Sequence, residues 1–430
     1  MMSRILVVTV GSRGDVQPYV ALARGLQEAG HDVTLATCGR FAPFVAEHGV
    51  AFAPLSDDIL LLLDSDAGRA TIDEASGALG LIRSSIRLAR QAGPINERLM
   101  ADVWDVARTT RPELVIYHPK ALAAPHVADK LGATAVQGLV VPVSVPTGDF
   151  PMIGMPALPV GRWYNRFTYR LAALGYASYD KMANRFRQET LGLAPKKRAA
   201  MSPTQPDGRA LEVIHGISSH VLPRPADWSA RAQLTGYWFL DAPSDWTPPA
   251  DLLAFLDAGD PPVYIGFGSM AGRDPERITR SVVEALEATG MRGIIATGWG
   301  GMDAAHLPPS VMHIVDAPHD WIFPRVAAVV HHGGAGTTAA GLRAGRPTVV
   351  CPFIVDQFFW GALVARSGAG SAPVPQKKIT PARLAAAIRE VVTDDRIRER
   401  AAEVGRRIRD EDGVTAAVRQ IERILGGEAP

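Results

Sequence analysis

The sequence predicts an α/β protein built from two open, doubly wound parallel sheets, and three observations lead to this class. Short runs of β-branched and other apolar residues alternate with stretches of helical periodicity. The alternation begins near residue 5, stops at a proline-rich segment, and begins again near residue 263. The length of 430 residues favours two or three domains over one, at about 150 residues per domain.

The first domain is expected to open on a strand over residues 5–10, a turn with the sequence GSRGD, and a helix over residues 16–29. Gly30 ends this helix, and a second strand follows over residues 32–37. This strand-helix-strand unit makes the two strands parallel. Further buried strands are predicted over residues 114–117, 133–140 and 213–217.

The second domain repeats the rhythm, and its strands are predicted over residues 263–267, 293–297, 312–315, 327–331 and 347–351. Helical patterns separate them, notably over residues 275–289 and 337–344, and residues 380–427 contain two or three amphipathic helices. Prolines 243, 248 and 249 mark the linker. We therefore expect a first domain over residues 1–230, a linker over 231–250, a second domain over 251–405, and a C-terminal helix over 406–430 that packs back on the first domain. Sheets of this kind bind ligands at the carboxyl ends of their strands, so a cleft is expected between the domains.

Composition excludes several classes of function. The 45 basic and 44 acidic side chains give a net charge of +1, so neither a nucleic-acid groove nor a polybasic membrane surface is indicated. Cys38 and Cys351 are too few for a disulfide framework, and the histidines show no metal-ligand spacing. The N-terminus lacks a secretory pattern, and no apolar run approaches the ~20 residues of a membrane span. A soluble, cytoplasmic protein without a bound metal is expected.

The strongest local motif is VVHHGGAGTTAAG, beginning at residue 329. A strand ends at His331 or His332, glycines permit close backbone approach, and a helix begins near Thr337, so free amides and the helix dipole converge on a phosphate-sized point. His332 and Thr337 add side-chain donors. No Walker lysine follows and the pattern is not GxGxxG, so ATPase and NAD-binding interpretations lose support.

A second candidate is Asp15 in GSRGDVQP, just past the first strand and at the start of a helix. An aspartate there is typical of a helix N-cap, and it is also placed at the edge of the sheet where ligands bind. Ser12 and Arg13 lie on the same turn and can meet a phosphate or an acceptor, or remain solvated.

These motifs resemble the nucleotide-sugar-dependent glycosyltransferases of the GT-B type, which have two Rossmann-like domains facing each other across a cleft. The gapless agreement runs through the second domain at His332, Gly334, Thr337, Gly341, Gly345, Pro347, Pro352, Asp356 and Gln357. Within this UDP-glycosyltransferase superfamily, GSRGDVQP, FGSM and HHGGxGT are closest to the bacterial antibiotic (macrolide and polyketide) and sterol glucosyltransferase-like branches. The resemblance is thin from residue 56 to residue 213.

The resemblance implies a role for each site residue. Asp15 takes the slot of the catalytic base, and Asp356 and Gln357 hold sugar hydroxyls. The residues that contact the donor diphosphate are Ser12, Ser269, His332, Gly334, Gly336 and Thr337. For some of these positions a structural role stays open: Asp356 can cap a helix that begins at Gln357, and Ser269 can be a simple turn serine.

Two departures from the family pattern concern the nucleobase. Ala340 stands where plant members have an acid for the ribose, and Asp316 stands near the place of their base-stacking tryptophan. Base recognition then falls on Trp299, Ala317 or His319, each of which can also be a packing residue.

The resemblance implies the transfer of a hexose or deoxyhexose from a UDP- or dTDP-sugar to a hydroxyl of a lipophilic small molecule. The transfer is expected to be metal-independent and inverting. The nucleotide sugar is a co-substrate, and no resident cofactor is expected. The acceptor wall is expected in the proline-rich loop over residues 141–162, through the exposed apolar side chains of Phe150, Met152 and Met155, and in the aromatic helix-like stretch over 163–190. Core packing is the alternative for this region and for residues 56–80. Two rival functions are a GT-B type nucleotide-sugar epimerase and a non-catalytic nucleotide-sugar or lipid-binding protein.

Overall fold

The computed structural model describes the backbone of residues 2–64, 78–243, 245–268, 275–296 and 307–428, with side chains undescribed at 63–64, 78–92 and 275. The chain divides into two compact units. The first comprises residues 1–219, 223–240 and 412–430, and the second comprises residues 220–222 and 241–411. The chain passes from the first unit to the second at residues 240–241 and returns at residues 411–412.

The first unit is organised around a seven-stranded sheet whose pairings are all parallel. Its strands are β1 (Arg4–Val8), β2 (Asp32–Cys38), β3 (Ala51–Leu55), β4 (Leu114–Tyr117), β5 (Thr134–Leu139), β6 (Glu212–His215) and β7 (Ala232–Leu234). They lie in the order β3-β2-β1-β4-β5-β6-β7. The direction of winding reverses between β1 and β4, where such sheets open a ligand-binding crevice at the carboxyl ends of the strands.

Helices cover both faces of this sheet. They are α1 (Arg13–Glu28), α2 (Ala42–Glu47), α3 (Asp58–Asp64), α4 (Ala78–Thr110), α5 (Ala124–Leu131), α6 (Arg162–Tyr176) and α7 (Asp180–Arg185), and α7 continues into a π-helical turn (Phe186–Thr190). The core forms where apolar residues of α1, such as Tyr19 and Leu22, meet the buried residues of β1 and β4. The C-terminal helix also belongs to this unit: a Cβ at Gly25 of α1 would lie 2.3 Å from the side chain of Val414.

The second unit has a five-stranded parallel sheet in the order β10-β9-β8-β11-β12, which repeats the winding of the first five strands of the larger sheet. Its strands are β8 (Val263–Gly266), β9 (Gly293–Ala296), β10 (Val311–Ile314), β11 (Ala328–His331) and β12 (Thr348–Val350). The remaining helices are α8 (Ala250–Asp257), α9 (Pro275–Thr289), α10 (His319–Ile322), α11 (Ala335–Arg343), α12 (Asp356–Ser367), α13 (Pro381–Thr393), α14 (Asp395–Arg409) and, in the first unit, α15 (Gly413–Leu425). The winding reverses between β8 and β11.

The predicted α/β class with two parallel sheets is confirmed, and most strand positions agree within two residues. Two edge strands were missed. β3 contains Pro54 and has only one buried residue, and β7 is three residues long and lies within the segment expected to be linker.

The single long helix expected over residues 163–190 is wrong, because the chain breaks into α6, a 3₁₀ turn, α7 and a π turn. Among the helices that the structure describes, none is long and apolar enough to span a membrane.

Candidate active site

The turn between β1 and α1 lies at the switch point of the first sheet. Ser12 is the N-cap of α1, and Asp15 occupies the third helical position, where its side chain folds back over the turn. The Ser12 amide and hydroxyl both donate to Asp15 Oδ2, at 2.8 and 3.1 Å. Gly11 has a φ of 143°, and a Cβ there would lie only 2.1 Å from Asp15 Oδ2, so only glycine leaves room for this carboxylate.

The other carboxylate oxygen of Asp15 faces the turn that follows β4. Lys120 Nζ donates to Asp15 Oδ1 at 3.2 Å, and His118 Nε2 lies 3.4 Å from the same oxygen. Strands β1 and β4 are neighbours, so their carboxyl ends bring residues 103 positions apart to one point. The Asp15 side chain is 20% exposed and that of Lys120 is 52% exposed, so the ammonium group is the more mobile partner.

The tautomer of His118 follows from its second hydrogen bond. The backbone amide of Lys120 donates to His118 Nδ1 at 3.1 Å, so Nδ1 carries a lone pair and the ring proton of neutral His118 resides on Nε2, facing Asp15. Burial lowers the pKa of His118 and keeps the ring neutral near pH 7, although the Asp15 carboxylate opposes this shift. His118 is therefore a donor to Asp15, with no nitrogen available as a base.

Four hydrogen-bond donors surround the Asp15 carboxylate and lower its pKa. Burial by itself raises the pKa of this carboxyl, but the charge of Lys120 and the hydrogen bonds from His118 and Ser12 outweigh burial and hold the pKa well below its usual range. Asp15 is ionised across the whole physiological pH range. The same negative charge, together with burial, raises the pKa of the neighbouring Tyr19 phenol.

In the second unit the corresponding feature is the glycine-rich turn between β11 and α11. Gly333 has a φ of 96°, Gly334 is the N-cap, and α11 begins at Ala335, two residues earlier than expected. The first amides of a helix have no partner within it, and those of α11 include the amide of Thr337. A Cβ at Gly336 would meet no described atom within 4 Å, so nothing in the described part of the chain fills the space beside this helix end. Amides at a helix N-terminus suit a phosphate.

His332 leans over this turn. A Cβ on Gly334 would lie 2.6 Å from His332 Nε2, and one on Gly268, just after β8, would lie 3.3 Å from His332 Cε1. The imidazole therefore sits between the turns that follow β8 and β11. Burial lowers the pKa of His332 to about 4, with a further lowering contribution from His319 and an opposing one from the Gly266 backbone. His332 is neutral near pH 7 in the absence of an anion.

The turn before α12 packs directly on the glycine-rich turn, because a Cβ at Gly333 would lie 3.0 Å from the Gln357 carbonyl oxygen. Helix α12 begins at Asp356 with Val355 as its N-cap, so the interpretation of Asp356 as the cap of a helix starting at Gln357 is wrong. Val355 has a φ of 34°. A β-branched residue in this region costs on the order of 1–3 kcal/mol, which is typical of functional turns.

The side-chain oxygen of Gln357 already has hydrogen-bond partners within the protein. Its Oε1 accepts hydrogen bonds from the amides of Phe353 and Ile354, at 2.7 and 3.1 Å, and its side chain is buried. The side-chain oxygen therefore holds the turn, and the NH₂ group is the part of this side chain suited to a sugar hydroxyl.

Of the three residues expected near a nucleobase, the structure describes Ala317 and His319. Ala317 is buried after β10, so its backbone is the part suited to recognition. His319, the first residue of α10, stacks on Phe323 with ring centroids 4.3 Å apart and meets Tyr264 edge-on at 6.2 Å. One face of the His319 ring is thus already covered. Trp299 and Ser269 lie outside the residues that the structure describes.

The expected acceptor loop is pinned to α6 by one carboxylate. Asp227 accepts from the Thr147 hydroxyl at 2.7 Å, from the Gly148 amide at 2.9 Å, and from Arg166 at 2.9 Å. This anchoring folds the loop back on the unit, and Phe150 is buried. The expectation that Phe150 exposes apolar surface is wrong, whereas Met152 and Met155 are half-buried.

The sequence analysis did not single out His118 or Lys120 as functional residues. The signal that could have found them is position: both follow directly after the buried run 114–117, and the carboxyl ends of adjacent parallel strands meet at one edge. Which strand lies beside β1 is a tertiary fact, so the pairing with Asp15 emerges only from the sheet order.

Comparison with known proteins places both units in one family. Residues 5–132 match the glycosyltransferase family 28 N-terminal domain, and residues 291–422 match the C-terminal domain described as erythromycin biosynthesis protein CIII-like. Two Arabidopsis thaliana proteins, the sterol 3-beta-glucosyltransferases UGT80B1 and UGT80A2, are 36% and 37% identical over 438 and 434 residues. These alignments cover 99% and 97% of this chain. The chain belongs to the UDP-glycosyltransferase superfamily.

The chain spans 69% of the length of UGT80B1 and 64% of that of UGT80A2. Solved structures of other glycosyltransferases share its fold. The kitacinnamycin enzyme superposes with a TM-score of 0.72 at 21% identity, covering 99% of this chain and 100% of that one. VinC, solved with dTDP, gives a TM-score of 0.68 at 19% identity, covering 99% and 100%. The predicted GT-B assignment is confirmed at the level of family and fold.

Proposed function

We propose that this UDP-glycosyltransferase superfamily member transfers a hexose or deoxyhexose from a UDP- or dTDP-sugar to a hydroxyl group of a sterol or polyketide-like molecule, with inversion at the anomeric carbon. The observation that carries the proposal is a pair of complementary turns at equivalent switch points. The first holds an ionised carboxylate, and the second holds a helix N-terminus at which a Cβ on Gly336 would meet no described atom.

The reaction is a single displacement. The acceptor oxygen forms a bond to the anomeric carbon while the bond from that carbon to the diphosphate oxygen breaks, and the diphosphate leaves with the electron pair. Asp15 Oδ1 accepts the acceptor proton, and transfer is late because a carboxylate of such low pKa is a weak base toward a neutral alcohol. The acceptor oxygen becomes acidic only as it bonds to carbon.

His118 supports this role without taking the proton. Its Nδ1 is occupied by the Lys120 amide and its Nε2 proton faces Asp15, so the ring orients the carboxylate. In the usual histidine-carboxylate pair the carboxylate orients the histidine, whereas here the histidine orients the carboxylate. Lys120 Nζ occupies Asp15 Oδ1 in the absence of a substrate, and its half-exposed side chain is the partner that an acceptor hydroxyl can displace.

The leaving diphosphate is assigned to the turn between β11 and α11. The amides of the first turn and the dipole of α11 stabilise the developing charge, and the Thr337 hydroxyl and the His332 imidazole add donors. The strained turn at Val355 places Asp356 and the Gln357 NH₂ group beside this turn, where they suit sugar hydroxyls. We propose that neither a metal nor a resident cofactor takes part.

Two features support the lipophilic acceptor: the similarity to sterol 3-beta-glucosyltransferases over nearly the whole chain, and a first unit whose proline-rich loop carries half-buried methionines. A mass-shift screen of UDP- and dTDP-sugars against sterol, macrolide and flavonoid acceptors tests the proposal. We expect a sugar adduct that NMR identifies as anomerically inverted. Sugar epimerisation without an acceptor, or donor binding without any turnover, would instead indicate the epimerase or the pure binding protein.

A further inference from the structure

Six of the eleven exposed large apolar side chains in the described part of the molecule lie on α6 and the loop before it. Trp163 is 67% exposed and Leu174 is 72% exposed, which is unusual for side chains of this size. We call this set the apolar stripe: Leu158, Val160, Trp163, Phe167, Leu171 and Leu174.

The stripe is a continuous surface. Its helical members are spaced by four, four and three residues, so they share one face of α6 and extend for about 16 Å along it. The opposite face is firmly packed: Thr168 and Tyr169 are buried, and the Thr168 hydroxyl accepts from the Met152 amide at 2.7 Å. Arg162 and Arg166 bind Asp227 at 3.2 and 2.9 Å and fix the rotation of the helix. These contacts hold the helix so that the apolar side chains face the solvent.

The charged side chains that the segment of the stripe itself carries are all basic, and the neighbouring acidic residues Asp149 and Asp227 pair with Arg162 and Arg166. From residue 150 to residue 179 the sequence contains Arg162, Arg166 and Arg170 and no acidic residue. The side chains of Arg162 and Arg166 are half exposed even though they contact Asp227. Arg170 is exposed and forms no ion pair with any residue that the structure describes. Tryptophan, phenylalanine and leucine flanked by arginine form the composition of helices that lie in the interface of an anionic bilayer.

Other occupants fit this surface less well. A second copy of the chain related by a twofold axis would place the stripe against itself and bring two sets of arginines together. A small-molecule site needs a concave surface, whereas the outer face of a helix is convex. We propose that the apolar stripe docks the first unit onto the surface of an anionic lipid bilayer, with Trp163, Phe167 and Leu174 inserted and Arg166 and Arg170 at the phosphates. This inference stands independently of the transfer reaction.

Co-sedimentation with vesicles tests it. The full-length protein should pellet with vesicles of equal parts phosphatidylglycerol and phosphatidylcholine, bind phosphatidylcholine vesicles much more weakly, and dissociate as salt is raised. The double variant Trp163→Gln, Leu174→Gln should lose at least about tenfold in affinity, since two large apolar groups no longer leave water. Arg170→Gln should lose about fivefold, as expected for one arginine at an anionic surface. The matched control is Leu61→Gln, Leu253→Gln, two exposed leucines outside the stripe, which should bind like the parent.

A conservative variant guards against loss of folding. Trp163→Phe should bind vesicles almost as well as the parent, but it should lose part of the fluorescence quenching caused by phospholipids with brominated acyl chains. Absence of binding to the anionic vesicles, equal binding by the parent and the double variant, or quenching unchanged by Trp163→Phe would each overturn the proposal. A dimer that the double variant abolishes, without any vesicle binding, would assign the stripe to a second copy.

Discussion

The turns after β1 and β11 have the same topology and opposite electrostatics. Both end a buried parallel strand, carry glycines, and start a helix at a switch point. The first turn is filled by its own side chain: Asp15 takes donors from Ser12, His118 and Lys120. At the second turn a Cβ on Gly336 would meet no described atom, and His332 is neutral. One turn brings a negative charge to the sheet edge, and the other is the turn to which we assign the donor diphosphate.

The difference shows that a helix N-terminus does not by itself define a ligand site. At α1 the helix dipole and amides stabilise the protein's own carboxylate, which keeps that carboxylate ionised. At α11 the N-cap is Gly334, which has no side chain to fill this place, and the first turn of the helix has no acidic residue. Substitutions that exchange or remove these charges should therefore have separable effects on turnover and on donor binding.

The largest effect is expected for Asp15→Asn, which keeps the shape of the side chain and removes its charge. Turnover should fall by about 10² to 10⁴, the usual contribution of a general base. Donor affinity, measured by calorimetry, should stay nearly unchanged because the diphosphate is assigned to the second unit. Near-normal turnover would return Asp15 to a role in helix capping alone.

Replacement of Asp15 by histidine is the matched control. Histidine restores a proton acceptor at this position, so Asp15→His should retain more activity than Asp15→Asn. Product configuration should be inverted in every active variant. Retention of configuration would contradict a single displacement.

The next effect is expected at His118. His118→Leu removes the donor to Asp15 Oδ1 and should lower kcat by roughly 10- to 100-fold, as for a lost hydrogen bond to a charged group. KM for the donor sugar should hardly change. His118→Gln carries an NH₂ group at a similar reach and should recover part of the activity, which a merely space-filling role would not explain.

A double-mutant cycle separates positioning from folding. If His118 acts through Asp15, His118→Leu should have little further effect on kcat in the Asp15→Asn background. Fully additive losses would show that His118 acts elsewhere. This result is independent of whether Asp15 is the base, which the single Asp15→Asn variant decides.

A smaller effect is expected for His332→Ala on donor affinity. Because burial lowers the pKa of His332 to about 4, the ring is neutral at pH 7, and the loss should be that of a hydrogen bond from a neutral donor to a charged phosphate oxygen, about 1.5 kcal/mol. A bound diphosphate favours the protonated ring and raises its pKa, so donor binding takes up protons. The parent should bind the nucleoside diphosphate more tightly as pH falls from 7 towards 5, and His332→Ala should lose this dependence. If the affinity of both proteins changed equally with pH, His332 would be excluded from the anion site.

The smallest effect is expected from chelation. If amides, Thr337 and His332 meet the charge of the leaving group, exhaustive dialysis against EDTA should leave kcat unchanged. In the described part of the chain no group of three or more histidine, cysteine, aspartate or glutamate side chains is arranged to hold a metal. A large loss of activity that Mn²⁺ restores would refute metal independence and would place a cation at the second turn.

The sequence by itself determined the class of fold and the chemistry of the two turns. Strands such as 114–117 and helices such as 275–289 follow from apolar runs and from helical periodicity, which are properties of a few consecutive residues. The same holds for the glycines around His332 and for the start of α1 near Asp15. Local backbone preference and burial pattern suffice for such features.

The tertiary structure alone decided which of these features meet. His118 reaches Asp15 because β4 lies beside β1, and the strand order is not encoded in any short segment. The hydrogen bonds that Gln357 Oε1 accepts depend on the exact path of the turn at Val355. Phe150 is buried in a loop that Asp227, 77 positions away, anchors through the Gly148 amide. The edge strands β3 and β7 were also missed, because a short or half-exposed strand gains its hydrogen bonds from a neighbour and shows little apolar pattern of its own.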